Sequence, residues 1–334
     1  MIYLVNFFAR KIEAISRQVE EARQDKKDPI ITCCYFLGQK PLNIKDIKDN
    51  IWIFPKKIYP IVAFIVIVLT NCDIHIFEDE PSIWRKISLN FRKRKIYVSL
   101  FKDINKSLIN YLNKIKFINL ITVEDEDSFI YISKNLKNKN IKVKLLYPSP
   151  LWVPKPTTTI DNNHLLFASW NGGSKQDLID RGIYDLLFLV KQTKSTCSIV
   201  IRDNETDFLK KLIKKHKLDR FIKIVNPTNY KSLKEEFEKA NYVVLIPRKA
   251  IMKYVPNSLI DGLSLGKPCI ISKKLRFCNT VIKNKIGLFF SYKEIKSFKL
   301  LSLENYKIMS FQCTNWSKKN LFYSYKKNIC KLYK

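Results

Sequence analysis

The run Pro256-Asn257-Ser258-Leu259-Ile260-Asp261 joins a proline, two small polar residues and a carboxylate in the order of a helix start. A helix start can do chemistry, because the backbone N–H groups of Asn257, Ser258 and Leu259 would present the positive end of the helix dipole to a diphosphate. One turn further on, the Asp261 carboxylate would accept hydrogen bonds from ribose hydroxyls. The same residues admit a structural role, in which Ser258 caps the helix and Asp261 satisfies its first turn. The run alone leaves both readings open.

Other residues could serve such a site. Arg181, Arg202, Arg248 and Lys253 all lie near predicted strand ends or helix starts of the same half of the chain. In the first half, DIHIFEDEP puts His75 inside a predicted strand and Glu78, Asp79 and Glu80 at its end, before Pro81 opens a helix. Glu78 or Glu80 could orient an acceptor hydroxyl or take its proton, but three acids ahead of such a helix are also what its dipole favours. His75 alternates with Ile74 and Ile76 and reads as a strand residue rather than a ligand. The acidic run from Glu124 to Asp127 reads as a solvated helix start rather than a metal site. Eight cysteines without a C-x-x-C pair and three scattered histidines argue against structural zinc, so no metal is expected. The seven glycines form neither a G-x-G-x-x-G nor a G-x-x-x-x-G-K-[ST] pattern, and no cofactor is expected.

Positioning these groups needs a scaffold, and the chain carries the pattern of one. Apolar runs alternate with amphipathic segments: IYLVNF at 2–7, a helix over 10–23, IITCCYF at 30–36, NIWIF at 50–54, an apolar stretch at 58–69, DIHIF at 73–77, a basic helix over 81–94, IYVSLF at 96–101 and INLITV at 118–123. Repeated βαβ order implies a parallel sheet covered by helices. YPSPLWVPKPTTT at 147–159 holds four of the 13 prolines and reads as an interdomain linker. A second series follows, with LLFASW at 165–170, a helix over 177–191, CSIVI at 197–201, a helix over 205–217, FIKIV at 221–225, a helix over 232–240 and YVVLI at 242–246. The expected architecture is α/β, with an N-terminal domain over 1–150 and a C-terminal domain over 151–334 that ends in a closing helix.

Composition narrows the function classes. The 334 residues carry 61 Lys plus Arg against 30 Asp plus Glu, a formal charge of +31, yet 46% are hydrophobic and 13% aromatic. That is enough apolar material for a large core, and it excludes a disordered chain. The second half holds more of the excess charge, and two doubly wound domains facing across a basic cleft suit an anionic ligand. The longest apolar run, Ile61 to Leu69, is short of the roughly 20 residues that span a bilayer and reads as a buried helix or strand. Without a signal peptide, the thiols are expected to be reduced and the chain cytoplasmic. The charge field calls for an anionic partner, and peripheral contact with the inner face of an anionic membrane is one expectation. Residues 81–94 combine Trp84, Ile87 and Phe91 with five basic residues and could lie on such a surface, although their apolar stripe suits packing on the sheet. No specific nucleic acid is expected, since no recognition motif is present; charge-driven nucleic-acid binding stays as an alternative.

The segment from YVVLIP through Asp261 to Gly266-Lys267-Pro268-Cys269-Ile270-Ile271 resembles the C-terminal domain of family 4 glycosyltransferases, which have the GT-B fold. Asp261 falls where the second Glu of that family's Glu, seven residues, Glu motif lies, and Gly266 and Pro268 fit its Gly-x-Pro turn. LLFASW with Arg181-Gly182-Ile183-Tyr184-Asp185-Leu186-Leu187 looks like the family's first strand and following basic-Gly helix start. Ile286-Gly287-Leu288-Phe289-Phe290 is similar to its Gly-Leu-hydrophobic strand. NWSKKNLFYSYKKNICKLY at 315–333 is similar to its closing helix, which crosses back toward the N-terminal domain. Residues 1–146 match in strand and helix order only. Three positions depart from the pattern: Lys253 stands for the motif's first Glu, Trp170 for a basic residue at the end of the first strand, and Lys102-Asp103 follows the strand where many members place a His.

The resemblance implies a GT-B protein of two Rossmann-like domains that moves a sugar from a nucleotide diphosphate sugar to a glycan or lipid-linked acceptor. The reaction would be metal-independent hexosyl transfer with retention, in surface polysaccharide or glycoconjugate synthesis. Arg181, Lys175 and Arg202 would stabilise the diphosphate beside Asn257, Ser258 and Leu259, Asp261 would hold the ribose, and Lys253 would reach the phosphates or the donor sugar. The Lys253 and Trp170 departures also fit a catalytically silent GT-B subunit that binds a nucleotide or a partner.

Overall fold

The computed structural model describes residues 1–5, 14–23, 25–32, 50–55, 57–78, 94–100, 104–115, 117–156, 163–168, 175–201, 206–226, 230–249, 255–322 and 325–333. They form two compact units, Met1–Pro148 with Ser324–Lys334, and Ser149–Tyr323. The final segment thus returns to the first unit, whereas the sequence places it with the second domain.

In the first unit, β1 (Ile2–Val5), β2 (Ile30–Thr32), β3 (Ile51–Ile53), β4 (Ile74–Glu78), β5 (Ile96–Leu100), β6 (Ile118–Val123) and β7 (Lys142–Leu145) form one sheet. Its order is β3-β2-β1-β4-β5-β6-β7, and neighbouring strands pair in parallel. Helices α1 (Ala14–Ala22), α2 (Tyr59–Leu69), α3 (Lys106–Leu112) and α4 (Glu126–Asn135) supply the layers. One face packs Leu4, Ile31, Ile74 and Ile76 under Tyr59, Ala63 and Ile67 of α2, Leu108 and Leu112 of α3 and Ile132 of α4. The other packs Tyr3, Val5, Phe77 and Tyr97 under Val19 of α1 and the C-terminal Ile329 and Tyr333.

Two local readings change here. The apolar stretch 58–69 is a helix with Pro60 in its first turn, as proline allows, but only one of its faces is buried. The acidic run does start a helix, with the Asp125 Oδ1 accepting from the Ser128 N–H at 2.8 Å. It is not solvated throughout, since Glu124 and Asp125 are buried and Glu124 accepts from Gln18 Nε2 at 2.5 Å.

The second unit holds β8 (His164–Phe167), β9 (Thr196–Val200), β10 (Ile222–Val225), β11 (Tyr242–Leu245), β12 (Cys269–Ile271) and β13 (Gly287–Phe289). The order is β10-β9-β8-β11-β12-β13, again parallel throughout. Chain order reverses between β8 and β11, and sheets of this kind bind ligands outside the carboxyl ends of the strands at that point. Helices α5 (Lys175–Asp180), α6 (Ile183–Thr193), α7 (Thr206–Lys215), α8 (Tyr230–Lys239), α9 (Asn257–Ser264), α10 (Cys278–Lys283) and α11 (Leu303–Ser317) complete the unit, and α12 (Tyr325–Leu332) belongs to the first. The helix expected over 177–191 is two helices, because Gly182 takes φ 87° between α5 and α6.

Candidate functional site

Two pieces of the second unit meet at the carboxyl end of β11, and a third, α9, packs on the strand itself through Gly262 against Val243. The first is the turn between α5 and α6. A Cβ built on Gly182 would stand 2.1 Å from the Ile246 carbonyl oxygen, so only glycine lets this turn press against the end of the strand. Arg181 is carried to that end by the turn. Its Nε lies 3.3 Å from Asp177 Oδ1, one turn back in the helix, and the side chain is partly buried.

The second piece is the segment after β11. Arg248 makes a two-pronged contact with the buried Asp185 of α6, Nε to Oδ2 at 2.6 Å and Nη2 to Oδ1 at 2.8 Å, the planar fork that suits arginine. These bonds hold the Arg248 pKa above its ordinary value. Lys249 Nζ reaches Asp180 at 2.9 Å, and this hydrogen bond lowers the Asp180 pKa. The Arg248 backbone N–H also donates to the Asp180 carbonyl at 2.8 Å. Tyr292 closes the corner, donating to the Ile246 and Pro247 carbonyls with Arg248 near its ring face, and Ser272 donates to Pro247. The sequence places Arg248 near a strand end without showing its partner. The signal was the Asp in the first turn of α6, four residues after Arg181.

The third piece is α9. Its N-cap is Pro256, without a side-chain cap, so Ser258 is an interior residue of the first turn and not the cap. The Leu259 N–H donates to the Pro256 carbonyl at 3.0 Å, which turns it inward and leaves Asn257 and Ser258 to head the helix. The helix ends in a Schellman turn: Lys267 N–H bonds the Gly262 carbonyl at 2.9 Å, Gly266 N–H bonds Leu263 at 3.1 Å, and Gly266 takes φ 68°. Lys267, between that glycine and Pro268, is buried with its Nζ on the Glu238 carbonyl at 3.0 Å, and burial pushes its pKa down to about 8.

Asp261 has a duty that the sequence did not show. It is buried, and its Oδ1 accepts from the Leu151 backbone N–H at 2.8 Å. Lys155 N–H adds a bond to the Ser264 carbonyl at 2.8 Å, and Trp152 packs on Phe237 with ring centroids 5.0 Å apart. The segment read as an interdomain linker is therefore docked along α9, over its described residues, by the carboxylate assigned to a ribose.

The remaining expected residues are placed as follows. Lys175 opens α5, exposed, with Nζ 5.0 Å from the centre of the Phe208 ring. Glu78 closes β4 in the first unit, at the carboxyl end of that sheet's own reversal point between β1 and β4. The Glu78 side chain, Glu80, Trp170, Arg202, Lys253, Lys102 and Asp103, and the 81–93 part of the basic helix lie outside the described residues. His75 is fully buried in β4, with Nδ1 on the Tyr333 hydroxyl and Nε2 on Ser99 Oγ at 2.8 Å.

Two parallel six- and seven-stranded units of this topology make the GT-B fold. Its solved neighbours are glycosyltransferases. WaaG, a glycosyltransferase involved in lipopolysaccharide biosynthesis, superposes with a TM-score of 0.68 at 10% identity, over 99% of each chain. A glycosyltransferase from Rickettsia africae ESF-5 gives 0.67 at 14% identity, over 100% of this chain and 98% of the other. Anabaena Alr3699/HepE in complex with UDP-glucose gives 0.68 at 11% identity, over 99% and 98%. Residues 181–305 match the family model for glycosyl transferases group 1, a stretch that opens on Arg181 and contains β11, α9 and the Schellman turn. No curated protein matches the chain.

Proposed function

We propose that the chain is a glycosyltransferase that moves a sugar from a nucleotide diphosphate sugar to a glycan or lipid-linked acceptor. The observation that carries this reading is the convergence of the Arg181-Gly182 turn and the post-β11 segment on the reversal point of the second sheet, inside the stretch matched by the family model. The Asn257 and Ser258 N–H groups and the α9 dipole stabilise the departing diphosphate, Arg181 and Lys175 add positive charge, and the family resemblance assigns Arg202 to the diphosphate and Lys253 to the phosphates or the sugar. Asp261 holds the ribose while it anchors Leu151. The bond from the anomeric carbon to the diphosphate breaks, the acceptor oxygen takes its place with retention, and its proton leaves to a base on the acceptor side, where Glu78 and Glu80 are the candidates. The reaction is hexosyl transfer without a metal, in surface polysaccharide or glycoconjugate synthesis. The enzyme works in the cytoplasm, in peripheral contact with the inner membrane face. HepE in complex with UDP-glucose supports a nucleotide-sugar donor.

The dual role of Asp261 sets the test. Asp261→Asn keeps an acceptor for Leu151, so the melting temperature should hold, while calorimetry should show affinity for the nucleotide sugar weakened about tenfold or more through loss of a charged hydrogen-bond acceptor. Asp261→Ala strands the Leu151 N–H and should also cost about 1–2 kcal/mol of stability. Unchanged affinity in the Asn variant would remove Asp261 from the ribose site.

A further inference from the structure

A surface helix normally turns charged residues to water, and one that is apolar all round is normally buried. Helix α2, YPIVAFIVIVL, is neither. Tyr59, Ala63 and Ile67 face the core, while Ile58, Ile61, Ile65 and Leu69, at helical spacing on the opposite side, are 46–73% exposed. The eleven residues contain no charge. Trp52 extends the patch: Ile51 and Ile53 of the edge strand β3 pack in the α1-side core, so the alternating Trp52 stands on the α2 side, and it is 56% exposed. Its indole N–H is held by Asn50 Oδ1 at 2.8 Å, which leaves the ring to water.

We infer that this face is a membrane-docking surface, with α2 lying in the headgroup region of an anionic bilayer and the tryptophan ring beside it. Eleven residues rise about 16 Å, half of a hydrocarbon core, so the helix lies in the interface and does not cross. Among the described residues no helix is long and apolar enough to span. Charge selects the occupant. Exposed Lys57 precedes the helix, and exposed Lys106, Lys114 and Lys134 belong to the α3 and α4 layer on the same side of the sheet. A second copy of a chain with formal charge +31 is repelled, and a nucleic acid does not bury an aliphatic stripe, whereas an anionic bilayer offers both a counter-charge and an apolar interior. The inference deepens the peripheral membrane contact proposed above by naming its surface, and it requires no nucleotide, so its failure leaves the transferase reading where it stands.

The full chain should co-sediment with vesicles of equimolar phosphatidylcholine and phosphatidylglycerol. The double variant Ile61→Ser, Ile65→Ser, altered only at outward positions and melting like the parent, should lose at least about tenfold in partitioning. In the unaltered chain, brominated acyl chains should quench part of the tryptophan emission, and Trp52→Phe should abolish that part, a readout that does not depend on how the double variant folds. Equal sedimentation of the double variant would show attraction by charge alone and overturn the proposal. So would absence of binding by the parent, or a lipid-free dimer that the double variant dissolves.

Discussion

Gly182→Ala should cost the second unit at least about 3 kcal/mol and remove its native urea transition under conditions where the parent is folded. The cause is tertiary. A methyl group at 182 would stand 2.1 Å from the Ile246 carbonyl oxygen and 3.0 Å from its carbon, atoms of the backbone that cannot rotate away. That carbonyl is fixed in turn by the Tyr292 hydroxyl at 2.9 Å, and Ile246 directly follows the last residue of β11. The left-handed backbone at Gly182 adds a smaller penalty of about 1 kcal/mol. Gly182→Asn separates the two, because asparagine tolerates the left-handed region but still carries a Cβ. Equal damage in both variants fits the collision, and rescue by asparagine would refute it. The consequence for the site is direct, since the same turn sets Arg181 beside the end of β11.

Acid should destabilise the first unit through His75. Complete burial lowers its pKa to about 3 from an ordinary 6.5, so the folded chain keeps it neutral where the unfolded chain takes a proton. Below pH 6.5 the unfolded state binds more protons, and stability falls as pH falls; between pH 6.5 and 4.5 the loss from this residue is about 2 kcal/mol. The imidazole joins the Tyr333 hydroxyl to Ser99, and Ser99 to Thr122 at 2.7 Å, while the Tyr97 hydroxyl donates to the Tyr333 carbonyl at 3.3 Å. Protonation therefore strikes the point at which the C-terminal segment docks. Denaturant titrations at a series of pH values should show a shallower acid loss in His75→Gln than in the parent, whatever the variant's stability at neutral pH. Parallel curves would show that His75 accepts its proton in place.

The alternation of strands and helices was legible because strands buried on both faces read as continuous apolar runs, as in IYLV at β1 and YVVL at β11. What local pattern could not show are contacts made across long stretches of chain. Asp261 meets Leu151 from 110 positions away and His75 meets Tyr333 from 258, and neither spacing leaves a trace in periodicity. Gly182 sits in a run that otherwise reads as one helix, and only the nearness of Ile246 shows why the helix must break there. Helix α2 misled for the opposite reason: an all-apolar run reads as buried, and composition cannot reveal that one side faces out. Of the candidate site, the helix start at Asn257 and the Gly-x-Pro turn were legible, each being a local backbone signal, whereas Arg181-Gly182 read as part of a single helix. The acids that neutralise Arg248 and Lys249 were not, because those pairs depend on the packing of α5 and α6 against the end of β11.

Sugar transfer as proposed requires the second unit to hold a nucleotide diphosphate sugar. The direct measurement is the melting temperature of the full chain titrated with UDP-, GDP-, ADP- and CMP-sugars. A ligand at a hundred times its dissociation constant stabilises the folded state by about 2.7 kcal/mol, a rise of several degrees for a unit of this size. A saturable rise with one nucleoside diphosphate sugar, diminished in Asp261→Asn, is the expected result. No rise with any of them, in a sample that melts cooperatively, would overturn the proposed donor site.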